Sequence, residues 1–431
     1  MRLILLSLLI GSVLPAAAQK KQFPRPQLGD SALLTLVQQK TFDYFWKFAH
    51  PVSGLAPERT TTPEVVTIGG SGFGVMAILV GIERKFITRE QGLDRLLKII
   101  RFLEKADHYH GIWPHWMNGA TGKTIPFSRK DDGGDLVESA FMFQGLLAVQ
   151  QYFDRNTPKE QELRNRITWL WNDAEWNWYT QGGQDVLYWH WSPNNGWSMN
   201  HTIRGWNECL ITYVLAASSP KFPIPAKAYH QGWVVSNYFK NGKEFFGIKL
   251  PLGFDFGGPL FFAHYSFLGL DPRGLKDQYA DYWEQNTNHT LINRQYCINN
   301  PKQFKGYGAD CWGLTASDNH EFYNAHSPTN DLGVITPTAA LSSFPYTPAH
   351  SMQALKYFYN KVGARLWGEF GFYDAFSETH NWFDHQYLAI DQGPIVVMIE
   401  NYRSGLLWRL FMSHPDIKKG LKELGFSSPA I

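Results

Sequence analysis

Four acidic side chains crowd into eight residues directly before a long apolar helical pattern. They are Asp131, Asp132, Asp135 and Glu138, with a pair of glycines in the middle. Asp135 and Glu138 have capping-box spacing, in which the aspartate accepts from helix amides and the glutamate reaches back. Capping does not explain Asp131 and Asp132, nor a glycine pair that lets the backbone approach a ligand. Carboxylates gathered in one cleft push their pKa values apart, which suits acid/base catalysis.

Glu208 is the second candidate for acid/base chemistry. The apolar residues around it form one helical stripe, which consists of Ile203, Trp206, Leu210 and Val214. A helix with that stripe directs Glu208 to the opposite face. One interpretation is a solvated glutamate that pairs with Arg204 one turn earlier. The other is that this helix lines the interior of a helical barrel, which places Glu208 in the site and makes Arg204 a candidate substrate contact.

Two further acids, Asp310 and Asp391, lie beside glycines and are candidate substrate contacts. Asp391 also fits a helix cap ahead of Pro394. The histidines are scattered without the spacing of metal ligands, and the sequence has no nucleophile elbow and no phosphate-binding loop. We therefore expect no metal and no cofactor, and an activity that survives a chelator.

Aromatic residues are abundant, with 17 Trp, 20 Tyr and 30 Phe, and many tryptophans lie in polar, turn-rich segments. Flat aromatic faces suit the C–H faces of sugar rings. Trp113, His115, Trp189 and Trp382 are therefore candidate substrate contacts. The alternative is that such side chains pack in the core of a large helical domain.

Helical periodicity recurs along the whole chain, whereas strand-like alternation is scarce. Helices are predicted near residues 30–49, 72–84, 88–105, 135–153, 158–174, 202–217, 224–239, 258–269, 274–286, 337–344, 348–362, 392–411 and 414–424. The segments between them are long and rich in Gly, Pro, Asn and Trp, which is typical of functional loops. Helical hairpins in succession without a linker predict an all-α fold. Its expected form is a single (α/α)6 toroid over residues 19–431, with long loops that build a cleft at one end.

The N-terminal residues indicate the compartment. Arg2, an apolar run from Leu3 to Val13 and the small residues 16–18 predict a signal peptide over residues 1–18. No later stretch is apolar enough to span a membrane, so a periplasmic or secreted monomer is expected. The formal charge of +2 disfavours nucleic-acid and membrane partners. Of the three cysteines, Cys297 and Cys311 are the pair that one disulfide would join.

Five short motifs resemble the glucoamylase-like domain of glycoside hydrolase family 144, the bacterial β-1,2-glucanases, and the resemblance extends over nearly all of residues 19–431. The motifs are Ser71–Gly74, Asp131–Glu138, Gly205–Glu208, Tyr307–Gly313 and Asp391–Pro394. The resemblance implies an (α/α)6 fold and hydrolysis of β-1,2-glucan with inversion. It also places the functional acids on Asp131, Asp135, Glu138 and Glu208, with Glu208 matching the general acid.

Two other functions stay open at this point. An (α/α)6 hydrolase of another β-glucan would have the same helical pattern, because one fold serves several linkages. A non-catalytic glycan-binding protein would also be helical, secreted and rich in tryptophan. Clustered acids favour an enzyme over a binding protein.

Overall fold

The computed structural model describes residues 27–431 and is mostly helical. The predicted signal peptide, residues 1–18, lies outside the described residues. Thirteen α-helices occur in the described part: α1 Asp30–Lys47, α2 Ile68–Glu83, α3 Arg89–Leu103, α4 Leu136–Tyr152, α5 Pro158–Asp173, α6 Leu210–Ser218, α7 Tyr282–Asn299, α8 Pro337–Leu341, α9 Pro348–Asn360, α10 Gly363–Leu366, α11 Ala389–Ser404, α12 Leu406–Ser413 and α13 Pro415–Glu423.

Short strands lie in the loops between the helices and form small antiparallel sheets. They are β1 Val65–Thr67, β2 Trp116–Asn118, β3 Thr124–Ile125, β4 Gly134–Asp135, β5 His190–Trp191, β6 Glu244–Phe245, β7 Ile248–Lys249, β8 Ala316–Ser317, β9 Asn324–Ala325, β10 Trp367–Gly368, β11 Gly371–Phe372, β12 Phe376–Ser377 and β13 Trp382–Phe383. β1, β2 and β3 form one sheet, and the remaining strands pair in consecutive twos. The all-α prediction is therefore corrected to a mostly helical fold, because extended loop segments pair their free backbone groups.

Helices α2, α4 and α11 have very few exposed residues and form the centre of the core. α2 packs against α4 through glycines. A Cβ on Gly72 would lie 2.4 Å from the backbone oxygen of Phe141, and a Cβ on Gly145 would lie 2.4 Å from the oxygen of Gly72. Only glycine permits this approach. The glycine-rich start of α2 therefore lets the first turns of α2 and α4 meet.

Amphipathic helices cover this centre. Thr88 and Gln91 form a capping box at the start of α3, and Thr157 caps α5 ahead of Pro158. α9 packs on α8 and α13 packs on α6, each with one buried face. Such helices bury an apolar stripe and leave their polar side in solvent.

The helix predicted over residues 202–217 is wrong in its first half. Gly205 has a φ of +80°, the Asn207 side chain accepts from the Cys209 N–H group, and α6 starts only at Leu210. An asparagine that bonds the backbone in this way favours a turn over a helix. Glu208 therefore lies in a turn that leads into α6.

Four other predicted helices differ in kind or in place. The helix predicted at 392–411 is divided into α11 and α12 at Gly405, which has a φ of +67°. Residues 224–239 hold only the π-helical turn Ala228–Trp233, and residues 258–269 hold the 3-10 turns Leu260–Ala263 and Tyr265–Leu268. The helix predicted at 274–286 is α7, which begins later. The buried face of α7 carries polar side chains: Gln285, Asn286, His289 and Asn293. The apolar period that identifies a buried helix is therefore missing from its sequence.

The three cysteines are buried and free, so the bridge considered between Cys297 and Cys311 is not formed. Within residues 27–431, no helix is long and apolar enough to cross a lipid bilayer.

Candidate active site

A cavity of about 380 Å³ opens where the N-terminal ends of the central helices meet. Thr67 directly precedes α2, Glu138 lies in the first turn of α4, and Leu388 directly precedes α11. Glu208 reaches the cavity from the turn before α6. Helix N-termini present free N–H groups and the positive end of the helix dipole, which favour carboxylates and ligand oxygens at this place.

The cavity wall combines aromatic rings with carboxylates. The aromatic side chains are Trp116, Phe127, Phe141, Trp189, Phe261, Tyr265 and Tyr323, and the carboxylates are Glu58, Glu138 and Glu208. Aromatic faces provide flat apolar contact area, and a few placed polar groups fix the orientation of a ligand. The wall therefore suits a polyhydroxylated ligand and acid/base chemistry.

Asp135 anchors the start of α4 and two cavity-lining side chains. Its Oδ1 accepts from the N–H groups of Val137 and Glu138 at 3.0 and 2.9 Å. Its Oδ2 accepts from His115 Nδ1 at 2.9 Å and from Trp189 Nε1 at 3.0 Å. Four donors fill the acceptor positions of this carboxylate. Asp135 therefore positions its neighbours and keeps no free lone pair for a proton transfer.

The Glu138 side chain does not complete the capping box but turns toward the cavity. Its Oε2 accepts from the Gly69 N–H group at 2.7 Å and from the Thr67 hydroxyl at 3.3 Å, and its Oε1 lies 4.0 Å from His115 Nε2. Burial raises the pKa of Glu138, while the charge of His115 and these hydrogen bonds oppose the rise. The capping interpretation is thus right for Asp135 and wrong for Glu138.

His115 supplies positive charge to the acidic cluster. Burial alone would lower its pKa, but the charges of Glu138, Asp135 and Asp131 outweigh burial and raise that pKa to about 9. The ring stacks on Phe127 with the centroids 4.1 Å apart. His115 is therefore an imidazolium at neutral pH, and it partly compensates the buried acids.

Asp131 is buried behind this layer, with its Oδ1 3.5 Å from His190 Nε2. That nitrogen accepts from the Gly133 N–H group at 2.9 Å, and burial lowers the pKa of His190, so the ring is neutral. Burial and the charge of Asp135 raise the pKa of Asp131. The pairing of β4 with β5 places Asp135 opposite His190 and holds these groups together.

Two contacts fix the turn that carries Glu208. Asn207 accepts from the Cys209 N–H group, and the Ser266 hydroxyl donates to the Glu208 carbonyl. Burial raises the pKa of the half-buried Glu208 to about 7, and the charges of Glu138 and Asp135 act in the same direction. A large fraction of Glu208 is therefore protonated at neutral pH. Among the described residues, no ion pair joins Glu208 to Arg204, whose guanidinium donates to the Gly232 carbonyl instead. The interpretation of Glu208 as a solvated partner of Arg204 is therefore wrong.

A second group of acids lies behind the cavity wall, close to Glu58 and Arg59. Arg59 Nη1 lies 2.8 Å from Asp318 Oδ2, and Arg59 Nε lies 2.8 Å from Glu58 Oε2. The Asp318 N–H group donates to Asp374 at 2.9 Å. Burial raises the pKa of Asp391 to about 8, and both oxygens of its carboxyl are buried without a hydrogen-bond partner among the described residues. Burial also raises the pKa of Asp374, so Asp374 and Asp391 retain protons at a pH where exposed aspartates are ionised.

Two sets of three side chains have the spacing to hold a metal ion in the described residues. They are His115 with Asp131 and Asp135, and Asp318 with Asp374 and Asp384, and the ligand atoms of each set lie within 4.8 Å of one another. In the first set His115 Nδ1 bonds Asp135, and the protonated ring has no free nitrogen lone pair for an ion. In the second set the guanidinium of Arg59 supplies the positive charge. Neither donor set fits a metal well.

Of the predicted substrate contacts, His115 and Trp189 line the cavity. Asp391 lies in the first turn of α11 beside the lining residue Ile390, which corrects its alternative interpretation as a cap, because Leu388 occupies the cap position. His115 and Trp189 thus share the cavity wall with Glu138 and Glu208, and Asp391 lies next to that wall.

The other four predicted contacts lie away from the cavity wall. Trp113 is buried in the core, where its indole N–H group donates to a backbone carbonyl at 3.2 Å. Arg204 and Asp310 are exposed, and Arg204 donates to the Gly232 carbonyl at 3.3 Å. Trp382 lies in β13, outside the cavity lining. The turn-rich sequence around these residues indicates loops correctly but does not give the side-chain direction.

The second acidic group was not predicted from the sequence. Glu58, Arg59, Asp318, Asp374 and Asp384 come from separate loops, so no spacing pattern links them. The available signal was the length of the loops over residues 296–336 and 364–391, which is typical of functional segments.

Comparison with known proteins gives consistent matches. A family model described as "Glycoamylase: Putative glucoamylase" matches residues 200–415. The chain is 48% identical over 417 residues to an exo β-1,2-glucooligosaccharide sophorohydrolase (non-reducing end) from Parabacteroides distasonis. That alignment covers 92% of this chain and 58% of the relative, so the chain spans little more than half the length of that protein.

Two solved structures are similar over the whole of their own chains. One, from Bacteroides uniformis, carries the same description as the family model, with 66% identity, a TM-score of 0.93 and coverage of 94% of this chain and 100% of that chain. The other is an endo-β-1,2-glucanase from Chitinophaga pinensis in complex with sophorotriose and glucose. It has 58% identity, a TM-score of 0.92 and coverage of 94% of this chain and 100% of that chain.

Proposed function

Because the chain belongs to the glucoamylase-like family, we propose that it is a glycoside hydrolase that cleaves β-1,2-glucan. The family resemblance drawn from the five motifs is confirmed by the relative of 48% identity. The observation that carries the proposal is the pair Glu138 and Glu208, which face one aromatic-lined cavity in different electrostatic surroundings. Similarity to the β-1,2-glucan hydrolases described above supports the choice of linkage.

In the proposed reaction, Glu208 is the general acid. Its carboxyl donates a proton to the glycosidic oxygen as the bond from that oxygen to the anomeric carbon breaks. A water molecule attacks the anomeric carbon from the other side and gives a proton to Glu138 Oε1. Inverting enzymes need two carboxyl groups in these roles, about 6.5–9.5 Å apart, so that the water fits between them.

Asp135, His115 and Trp189 are positioning residues in this scheme. The charge of His115 lies 4.0 Å from Glu138 Oε1 and favours the ionised form that a base needs. Asp135 holds His115 and Trp189 by hydrogen bonds from one oxygen. Asp131 adds negative charge behind them, Arg59 lines the cavity, and Asp391 is buried beside the lining residue Ile390.

We further propose that the helices form an (α/α)6 toroid in one domain. Outer and inner elements alternate along the chain: α1, α2, α3, α4, α5, α6, Ala228–Trp233, Leu260–Leu268, α7, α8, α9 and α11. The inner members α2, α4, α6, α8 and α11 are buried almost throughout. The cavity residues come from one end of these inner members, as expected for a toroid.

The predicted signal peptide over residues 1–18 is the basis for proposing a periplasmic or secreted enzyme. N-terminal sequencing of protein recovered from the periplasm or medium tests this. A mature protein that starts near Gln19 supports export, and full-length protein confined to the cytoplasm contradicts it.

The substrate is tested by digesting linear β-1,2-glucan, laminarin, cellulose and starch and separating the products by chromatography. We expect release of oligosaccharides from β-1,2-glucan and little release from the others. Faster release from starch than from β-1,2-glucan would overturn the proposed linkage.

A further inference from the structure

A second concave surface, called the outer pocket, has a volume of about 550 Å³ and is bounded by residues 237–243, 253–259 and 327–329. Two aromatic side chains stand at its edge. Tyr238 is 58% exposed and Phe254 is 38% exposed, and their ring centroids lie 4.9 Å apart with the planes 32° apart. Two large exposed rings side by side form an apolar surface of the kind found in ligand-binding grooves.

The outer pocket adjoins the catalytic cavity, because the same two segments form a wall of each. Pro259 lines the outer pocket and Phe261 lines the cavity, only two residues along the chain. In the second segment, Ser327 lines the outer pocket and Tyr323, four residues earlier, lines the cavity. Two residues of extended chain span at most about 7 Å, so the two sites are close enough for one oligosaccharide to occupy both.

A row of aromatic rings connects the two sites. The centroid of Phe254 lies 6.4 Å from that of Phe262, which lies 4.8 Å from that of Phe261. Phe261 stacks on Tyr265 at 4.9 Å in the cavity wall. Phe262, in the middle of the row, is buried, so the rings from Tyr238 to Tyr265 belong to the wall that separates and joins the two sites.

The polar groups of the outer pocket suit a neutral ligand. Lys243 Nζ lies 2.9 Å from Asp255, and Lys240 Nζ lies 5.6 Å from the centroid of the Tyr279 ring, so these charges already have partners. Asn237, Ser327 and Thr329 contribute an amide and hydroxyls. Flat aromatic faces beside neutral donors and acceptors match the C–H faces and hydroxyls of glucose.

We propose that the outer pocket is a binding subsite for glucosyl residues of a β-1,2-glucan chain whose cleaved bond lies in the cavity. This inference rests on the proposed function. The adjacent rings of Tyr238 and Phe254 hold the distant part of a long chain, and a short oligosaccharide fills the cavity alone. The outer pocket therefore contributes to the hydrolysis of polymer and not to that of a short substrate.

The test compares kcat/KM on long β-1,2-glucan and on its tetrasaccharide for the wild type and for the double variant Tyr238→Ala with Phe254→Ala. We expect about a tenfold loss on the polymer and no change on the tetrasaccharide. The control variant Tyr402→Ala removes a tyrosine that is 44% exposed at the other end of α11, and it should change neither rate. Tyr238→Phe keeps the ring and should retain activity on the polymer.

An unchanged rate on the polymer, or an equal loss on both substrates, would overturn the subsite. If the wild type hydrolyses neither substrate, the proposed function is wrong, and the subsite is tested by binding alone. In that case the subsite still predicts that β-1,2-glucan in a native gel retards the wild type more than the double variant, and equal mobility would overturn it.

Discussion

At the residue scale, Glu138 and Glu208 have different surroundings, which suit the different roles proposed for them. Glu138 accepts two hydrogen bonds on one oxygen and faces the charged His115. Glu208 is desolvated, and the charges of Glu138 and Asp135 raise its pKa further. Hydrogen bonds and a nearby cation favour a carboxylate, whereas desolvation favours the protonated acid. Burial raises the pKa of both groups, but only Glu138 has a cation beside it, as the base of the proposed reaction requires.

Substitution Glu208→Gln should lower turnover on β-1,2-glucan by roughly 2–5 orders of magnitude, because the proton donor is lost and the bond is less well positioned. Steady-state kinetics of the purified variant measure this. The control Glu90→Gln changes an exposed glutamate in α3 and should leave turnover unchanged. Near-wild-type turnover of folded Glu208→Gln would exclude Glu208 as the acid.

The same variant carries its own folding control. Since the pKa of Glu208 is raised in the folded state, the stability that its proton contributes is complete below the unfolded pKa and is lost as pH rises through about 7. Glu208→Gln avoids that loss. We expect it to be more stable than wild type by about 1–3 kcal/mol in urea unfolding at pH 8 and nearly equal at pH 4. A variant less stable than wild type at pH 8 would show that the lost activity reflects misfolding.

Asp135→Asn tests positioning against capping. The asparagine oxygen can still accept from the amides of α4, but its NH2 group then faces the donors of His115 and Trp189. We expect turnover to fall about a hundredfold or more, because both side chains move. Asp281→Asn is the matched control, since Asp281 caps α7 by the same pair of bonds far from the cavity. Equal turnover of the two variants would reduce Asp135 to a helix cap.

At the element scale, glycines decide how closely the central helices approach. A Cβ on Gly72 meets backbone atoms of α4, which cannot move aside as a side chain can. Thr67 directly precedes α2 and Glu138 lies in the first turn of α4, and both line the cavity, so the helix contact and the site geometry depend on each other.

Gly72→Ala should therefore destabilise the protein by about 1–3 kcal/mol, and thermal denaturation measures the loss. Gly308→Ala is the control, because no atom lies within 4 Å of its added Cβ. A melting temperature equal to that of the control would contradict the close packing of α2 on α4.

The elements also show what the sequence could and could not predict. The cap at Asp135 and the apolar run of α4 are local signals, and both are found in the structure. Glu208 was expected on a helix face, yet it reaches the cavity from a turn, because Gly205 and Asn207 oppose helix formation there. Asp318, Asp374 and Asp391 are distant in the sequence and come together only in the folded chain. No local sequence pattern could therefore predict this cluster.

At the scale of the whole molecule, the N-terminal ends of α2, α4, α6 and α11 lie around one cavity. Helix dipoles and free N–H groups then converge on the place where the acids lie. The long loops of that end build the aromatic wall and the adjoining outer pocket. The buried helices thus provide the core, and the loops at the N-terminal ends of α2, α4 and α11 line the cavity that the outer pocket adjoins.

The most direct test of the account is an NMR time course of β-1,2-glucan hydrolysis that records the anomeric configuration of the first product. With Glu208 as acid and water activated by Glu138, the new reducing end of the β-linked chain must appear first as the α-anomer and then mutarotate. The wild type should show that order, and Glu208→Gln should form no new reducing end on the same timescale. A β-anomer as the first product, or an uncleaved substrate with the wild type, would contradict it.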